Sequence, residues 1–142
     1  MIFGCTKEEN RGKSNTSTIW NGPIKTFSKK DGSDPNNEKN QDRLTMNVWI
    51  TRKNDGGQIL NIAKETSPDK YKSPLGTEWA IGTLDQIDSL SFKTFRSTSK
   101  PQFSVGKKFV VHLIEDDIYL SIEFRSWSSG KKGGFSYIRS TP

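Results

Sequence analysis

Residues 109–127, FVVHLIEDDIYLSIEFRSW, are the segment that decides the fold. Apolar side chains recur at every second position on both sides of Glu115-Asp116-Asp117, which predicts two strands joined by a tight turn. A slip by one residue would turn every apolar group to the wrong face, so the parity of the register is fixed even though the turn type is not. We expect these partners across the hairpin: Leu113 and Leu120, Val111 and Ile122, Phe109 and Phe124.

Similar short segments extend along the rest of the chain, separated by polar or glycine-rich turns. Asn54-Asp55-Gly56-Gly57 is a strong hairpin signal, residues 128–134 form a glycine-rich turn, and residues 28–42 form a long polar loop. A helical turn is expected at 85–89. Strands are expected at 19–20, 24–27, 44–51, 59–63, 78–82, 90–95, 109–114, 118–127 and 135–140. About eight short strands with little helix predict an all-β fold, an antiparallel, jelly-roll-like β-sandwich.

The composition agrees with a small folded domain. Only 30% of the 142 residues are apolar, but 4 Trp, 8 Phe and 3 Tyr supply large rings for a core. Residues 6–17 contain no apolar side chain and are expected to form a flexible tether. We therefore divide the chain into a leader and tether at 1–17 and a β-sandwich domain at 18–142. No stretch approaches the roughly 18 apolar residues of a membrane helix.

The charge balance is moderately basic. Lys and Arg number 22 against 16 Asp and Glu, a net charge of +6. Most of these charges alternate in sign along the chain, which is typical of a solvated surface, and we predict no nucleic-acid partner. The excess concentrates near the end of the chain, at Arg125, Lys131, Lys132 and Arg139.

The lone cysteine, Cys5, has no partner for an internal disulfide. The run Met1-Ile2-Phe3-Gly4-Cys5 resembles the end of a bacterial lipobox, in which the cysteine carries the lipid of a lipoprotein. Lys7-Glu8-Glu9 resembles the charged export tag of Bacteroidota surface lipoproteins. These resemblances imply lipid attachment at Cys5, a membrane anchor, and an extracytoplasmic location at the outer membrane or cell surface, or secretion.

The last hairpin offers a candidate ligand-binding face. If Trp127 lies opposite Phe135, Arg125 pairs with Tyr137 and Glu123 pairs with Arg139. Aromatic faces can stack on sugar C–H groups while charged side chains hold the hydroxyls, so this face could bind a polysaccharide. The alternative is that the rings are core, covered by the other sheet or by the strands around Trp20 and Phe27. The candidate residues are Tyr119, Arg125, Trp127, Phe135, Tyr137 and Arg139.

The sequence gives little support for a metal or cofactor site. The 31–42 loop carries oxygen ligands that Ca²⁺ could use, but the spacing is not that of an EF-hand and lysines intervene, so a solvated loop is preferred. One histidine and one distant cysteine cannot build a zinc site. We predict no metal and no cofactor. The oxygen ligands of the loop are Asp31, Asp34, Asn36, Asn37, Glu38 and Asp42.

No catalytic set stands out either. His112 is the single histidine and lies in the middle of a predicted strand, and the chain has no Gly-x-Ser-x-Gly elbow. A glycosidase would need two paired carboxylates. Nothing selects two from the candidates, so we predict that the protein is not an enzyme. The candidates are Glu78, Glu115, Asp116, Asp117 and Glu123.

Several segments resemble a family of uncharacterised secreted bacterial proteins that includes surface lipoproteins. The resemblance implies export and an all-β fold, and it brings no catalytic residues. It spans nearly everything after the tether. It rests on residues 40–43 (NQDR), 47–52 (NVWITR), 77–80 (TEWA), 116–119 (DDIY), Phe124, Ser126-Trp127 and 133–142 (GGFSYIRSTP).

Three functional hypotheses follow. The first is a non-catalytic, surface-anchored module that binds a polysaccharide or another surface ligand. The alternative is a structural or protein-interaction component of the cell envelope with an envelope protein as its partner. A hydrolase is the weakest of the three. No oligomeric state follows from the sequence.

Overall fold

A computed structural model describes residues 16–142 of the protein. The predicted lipid attachment at Cys5 and most of the predicted tether lie outside the described residues. Within the described range, no helix is long and apolar enough to cross a membrane.

Nine strands form two sheets within residues 16–142. The larger sheet has the order β2-β9-β8-β7-β6, and β1 runs parallel to the start of β8; the smaller sheet has the order β3-β4-β5. All other pairings are antiparallel. The strands are β1 (Thr18–Trp20), β2 (Lys25–Lys29), β3 (Asp42–Thr45), β4 (Val48–Arg52), β5 (Ile59–Asn61), β6 (Thr77–Ile81), β7 (Lys108–Leu113), β8 (Ile118–Trp127) and β9 (Phe135–Arg139).

Helix is confined to short segments. A four-residue α-helix, α1, covers Phe95–Thr98, and 3₁₀ segments cover Glu38–Asn40, Leu84–Ser89 and Pro101–Phe103. The predicted helical turn at 85–89 is confirmed by the second of these. The predicted all-β antiparallel sandwich with short strands and little helix is confirmed as well.

The main core lies between the two sheets and is rich in aromatic rings. Trp79 is fully buried and packs against Phe95, Phe109 and Phe124. A second, smaller cluster covers the outer face of the larger sheet. As predicted, β7 is central and largely apolar on both faces, because it pairs with β6 and β8 and contributes to both clusters. The outer cluster comprises Ile87, Val110 and Tyr119, with Ile19, Leu84, Leu90 and Phe92 packed on it.

The hairpin of β7 and β8 keeps the predicted parity of the register, but its loop is two residues shorter than the predicted pairing requires. The pairs are Leu113 with Ile118, Val111 with Leu120 and Phe109 with Ile122. The connection is the four residues 114–117, in which Asp117 adopts a φ of +52°. Asp accepts this left-handed conformation more readily than most residues. The predicted partners are therefore wrong by two positions, while the predicted buried face is correct.

The alternation over 44–51 was predicted to be one strand, and that prediction is wrong. The structure folds it into the hairpin of β3 and β4, with Met46-Asn47 at the turn. Thr45 Oγ1 accepts a hydrogen bond from Asn47 N at 3.0 Å and donates one to Asp116 Oδ2 at 2.7 Å. A two-residue turn between strands preserves the alternation, so the period alone does not reveal the reversal.

The predicted strand at 90–95 is also absent. The segment makes a single bridge between Lys93 and Trp79 and then enters α1. Thr94 starts this helix, because its side-chain oxygen accepts a hydrogen bond from Ser97 N at 3.1 Å. Threonine in this position satisfies a donor at the helix start, and the cap overrides the strand propensity of the preceding residues.

Candidate functional site

The predicted binding face of the last hairpin is broken by a β-bulge. Trp127 lies opposite Phe135, as predicted, but the register shifts at Arg125. Tyr137 is therefore the partner of Phe124, and its predicted pairing with Arg125 is wrong. A bulge places two residues of one strand opposite one of the other, so the side chains beyond it change faces.

The same shift pairs Arg139 with Ile122, so the predicted pairing of Arg139 with Glu123 is wrong. The six candidate residues consequently do not form one exposed platform. Arg125 is exposed and Trp127 is partly exposed. The alternative interpretation, in which the rings are core, is confirmed for three of them. The buried members are Tyr119, which belongs to the outer cluster, and Phe135, Tyr137 and Arg139, which face the smaller sheet.

Arg139 is held in a buried ion pair. Its Nε and Nη2 donate to the two carboxylate oxygens of Asp42 at 2.7 and 3.0 Å. The Tyr137 hydroxyl donates to the same carboxylate at 2.7 Å, and burial followed by the Asp42 charge raises the pKa of Tyr137 well above its usual value. This triad joins β9 to β3 and closes the space between the sheets. The polar groups of Arg139 and Tyr137 are therefore occupied by structural contacts.

A different group of residues meets at the end of the sandwich where β2, β4 and β8 finish, which we call the turn end. Lys29 Nζ donates to Asn54 Oδ1 at 2.7 Å and to Gly133 O at 3.0 Å, so β2 is tied to two turns at once. Gly133 has a φ of +85°, and a Cβ there would overlap Asn54 Oδ1. A glycine is required for the turns to approach this closely.

A cleft of about 440 Å³ opens at the turn end. It lies between the β4–β5 turn, the β8–β9 turn and the segments around α1. Its volume is within the range of pockets that bind small molecules or a few sugar units. The cleft is lined by Arg52, Gly56, Gly57, Gln58, Lys70, Arg96, Pro101, Gln102, Trp127, Ser129 and Gly130.

Arg52 and Trp127 stack on one another in this cleft. The Arg52 guanidinium carbon lies 3.9 Å from the centre of the Trp127 ring. Arg52 Nε donates to Gly57 O at 3.1 Å and Nη1 donates to Gly134 O at 2.8 Å. Only 2% of Arg52 is exposed, and this burial lowers its pKa, although the charge of Asp31 acts in the opposite direction. The stack joins the smaller sheet to the larger one.

The side-chain carbonyl oxygen of Gln58 accepts no hydrogen bond from the described part of the chain. Gln58 is 4% exposed, and its Nε2 donates to Asp69 O and Lys72 O, which fixes the orientation of the amide. Its Oε1 has no hydrogen-bond partner among residues 16–142. Buried side-chain acceptors are satisfied in most native structures, so this enclosed oxygen is an exception in the wall of the cleft.

His112 is clamped at the other end of the sandwich. Its Nδ1 lies 2.8 Å from Glu78 Oε2 and its Nε2 lies 2.8 Å from Asp117 Oδ1, while the ring stacks on Tyr119 at 4.1 Å. Burial lowers the pKa of His112, but the hydrogen bonds and charges of the two carboxylates outweigh burial and raise it. Asp117 also accepts from Ser17 Oγ at 2.8 Å, so the clamp connects β6, β7 and the start of β1.

Of the other acidic candidates, Glu115 is exposed and forms no side-chain hydrogen bond or ion pair among residues 16–142, whereas the others have structural partners. Asp116 accepts from Thr45 and Asn47, and Glu123 lies 3.6 Å from Arg125. In the 31–42 loop, Asp31 accepts from Gly134 N at 3.0 Å. Asp34 accepts from Asn36 N at 2.9 Å within the same loop. Over residues 16–142, no three His, Cys, Asp or Glu side chains are grouped in a way that could hold a metal ion.

Of the six residues selected from the sequence, Trp127 alone lines the cleft, and sequence reasoning missed the residues around it. Arg52 and Gln58 flank a hairpin signal that was recognised, whereas Lys70 and Arg96 lie in loops with no periodic pattern. Only the packing of the sheets brings these segments together. No protein-family model, curated protein or solved structure matches the chain.

Proposed function

We propose that the protein is a non-catalytic binding module of the cell surface that holds a glycan in the turn-end cleft. The observation that carries the proposal is the Arg52–Trp127 stack, because it places an aromatic ring and a guanidinium in direct contact in the wall of one cleft. Sugars present C–H groups to aromatic rings and hydroxyl groups to planar donors. A cleft with this pairing suits them better than a purely apolar pocket.

The remaining lining residues fit the same ligand class. Gln102 is exposed, and its amide forms no hydrogen bond with the described part of the chain, so it is free to bind hydroxyls. Ser129 adds a hydroxyl at the rim of the cleft. Donors and acceptors that converge on one cleft satisfy a polyhydroxylated ligand without loss of hydrogen bonds.

The position of the cleft agrees with a surface-anchored protein. The chain enters the domain at Thr18, whose N–H donates to Asp117 O beside the β7–β8 turn. The cleft lies at the other end of β8, a strand of 10 residues that spans about 30 Å. An anchor at Cys5 would therefore approach the domain from the end opposite the cleft. The non-catalytic part of the proposal is supported by His112, because carboxylates engage both of its ring nitrogens.

A pull-down on immobilised polysaccharides tests the proposal. The wild-type protein is expected to bind at least one polysaccharide, and Trp127→Ala is expected to lose most of that binding. Trp49→Ala is the matched control, because Trp49 also stacks on an arginine, Arg43 at 3.8 Å, but lies outside the cleft. Gln102→Ala, an exposed substitution, separates a loss of ligand contacts from a loss of fold. Absence of binding to any polysaccharide contradicts the proposal.

One observation favours the alternative, a protein-interaction component of the envelope. Three apolar side chains are exposed at the end opposite the cleft: Met46 is 88% exposed, Leu75 55% and Ile114 50%. Asn61 Nδ2 donates to Asn47 O and Leu75 O, and Ile114 N donates to Gly76 O, so these residues share one end of the sandwich. Exposed apolar groups that cluster are typical of protein contacts. Cross-linking from Met46 in cells that recovers no envelope protein contradicts this alternative.

A further inference from the structure

Two buried arginines in the described chain have opposite environments. Arg139 is 6% exposed and is paired with both oxygens of Asp42. Arg52 is 2% exposed, and no carboxylate of residues 16–142 lies within 4 Å of it. Burying a charge without a counter-charge is costly, so a buried, unpaired cation is the unusual case. Arg139 is therefore paired directly with a carboxylate, whereas Arg52 has no such contact and lines a cleft.

The surroundings of Arg52 increase the positive charge of the cleft. Lys70 and Arg96 also line it, and among the described residues no Asp or Glu does. Arg96 forms no hydrogen bond or ion pair with the described part of the chain, and the Lys70 ammonium lies over the ring of Tyr71 at 5.1 Å. Lys29, buried beside the same turns, further contributes an unfavourable charge interaction with Arg52. Like charges that converge in a concave surface attract anions.

We propose that the glycan bound in the turn-end cleft is acidic, and that its carboxylate or sulfate group is held by Arg52, Lys70 and Arg96. This inference rests on the proposed function and narrows it to a class of sugar. Planar guanidinium groups bind carboxylate and sulfate oxygens through charge-assisted hydrogen bonds. The neighbouring ring of Trp127 and the amide of Gln102 contact the uncharged part of the same sugar unit.

The bound anion also supplies the direct anionic contact that Arg52 lacks, because the charge of Asp31 acts on Arg52 only from beyond 4 Å. Arg52 donates two hydrogen bonds to backbone carbonyls, at Gly57 and Gly134. A guanidinium has five N–H donors, so donors remain for a ligand. The position of Arg52 is set by those carbonyls and by Trp127, which means that the donor is already oriented before the ligand arrives.

Binding to four polysaccharides tests the inference: polygalacturonate for carboxylate, dextran sulfate for sulfate, and dextran and mannan for the neutral class. Binding is expected to at least one acidic polymer, to exceed binding to both neutral polymers, and to fall as salt rises from 50 to 500 mM, because screening weakens exposed charge contacts. The Lys70→Gln/Arg96→Gln double variant is expected to bind about tenfold or more weakly. Lys25→Gln/Lys108→Gln removes the same net charge from exposed residues outside the cleft and is expected to change affinity by less than about twofold.

The outcomes separate the two proposals. Preference for an acidic polymer, lost in the cleft variant and kept in the control, supports the inference, and the two acidic polymers distinguish carboxylate from sulfate. Equal binding to neutral polymers without salt dependence overturns the inference and leaves glycan binding standing. Equal loss in the two double variants also overturns it, because the effect is then one of net charge. No binding to any of the four polymers contradicts the proposed function, and the inference with it.

Discussion

At the scale of single residues, the Asp42–Arg139 pair is a buried ion pair that joins the two sheets. The side chains of Asp42 and Arg139 are 5% and 7% exposed, and two hydrogen bonds join them. A buried pair of this kind adds little net stability over apolar residues of the same size, but removing one partner leaves the other charge uncompensated.

The substitution Asp42→Asn tests this pair. It keeps the shape of the side chain and removes the charge, so we expect the free energy of unfolding to fall by about 3–5 kcal/mol. Urea unfolding followed by tryptophan fluorescence measures the change. Glu38→Gln is the control, because Glu38 is 76% exposed and lies 3.7 Å from Arg43. That variant is expected to change stability by less than about 1 kcal/mol. Similar losses in both variants would contradict the assignment.

His112 makes stability depend on pH in a defined direction. Its pKa in the folded state is raised by Glu78 and Asp117, despite burial. The stabilisation is therefore complete below the unfolded pKa of about 6.5 and is lost as pH rises through the folded pKa. We expect wild-type protein to lose stability relative to His112→Gln between pH 6 and pH 9. Urea unfolding at each pH measures the difference, and a difference that stays constant over this range is inconsistent with the clamp.

At the scale of elements, the turn end depends on the backbone of the β8–β9 turn. Gly133 combines a positive φ with close contact to Asn54, whereas Gly130 has a φ of +61° and open space around it. Substitutions at the two glycines therefore distinguish the cost of a positive φ from the cost of filling a close contact, within one turn.

We expect Gly133→Ala to destabilise the protein by about 2–4 kcal/mol, because the methyl group adds an overlap to the strained φ. Gly130→Ala is expected to cost about 1 kcal/mol, since only the φ is strained. Thermal unfolding of both variants gives the comparison. If Gly130→Ala proves as destabilising as Gly133→Ala, the close approach of the two turns is not what requires Gly133.

The strands were predicted where side-chain alternation is supported by a clear turn signal. The β7–β8 and β4–β5 hairpins, with Glu115-Asp116-Asp117 and residues 54–57 at their turns, belong to this class. The Met46-Asn47 turn was missed because it continues the period of two. The bulge at Arg125 was missed because a single extra residue carries no composition signal, yet it moves Tyr137 and Arg139 to the other face. The irregular backbone at this bulge is the reason that the predicted platform does not form.

At the scale of the whole molecule, the candidate site is a product of sheet packing. Arg52 ends a strand of the smaller sheet and Trp127 ends a strand of the larger one, 75 positions apart in the chain. Lys70 and Arg96 reach the same cleft from loops. Local patterns predict most of the strands but not which strand ends meet. Trp127 could therefore be selected from the sequence, and its neighbours in the cleft could not.

The four tryptophans offer a direct test of where a ligand binds. Trp127 lines the cleft, while Trp20, Trp49 and Trp79 lie elsewhere. In ¹H–¹⁵N spectra titrated in turn with trigalacturonate and maltotriose, we expect trigalacturonate to shift the indole signal of Trp127 and the amides of 56–58 and 129–130, and to leave the other three indole signals in place. Spectra that stay unchanged with both sugars, or shifts confined to the end that carries Met46, would contradict glycan binding at the turn end.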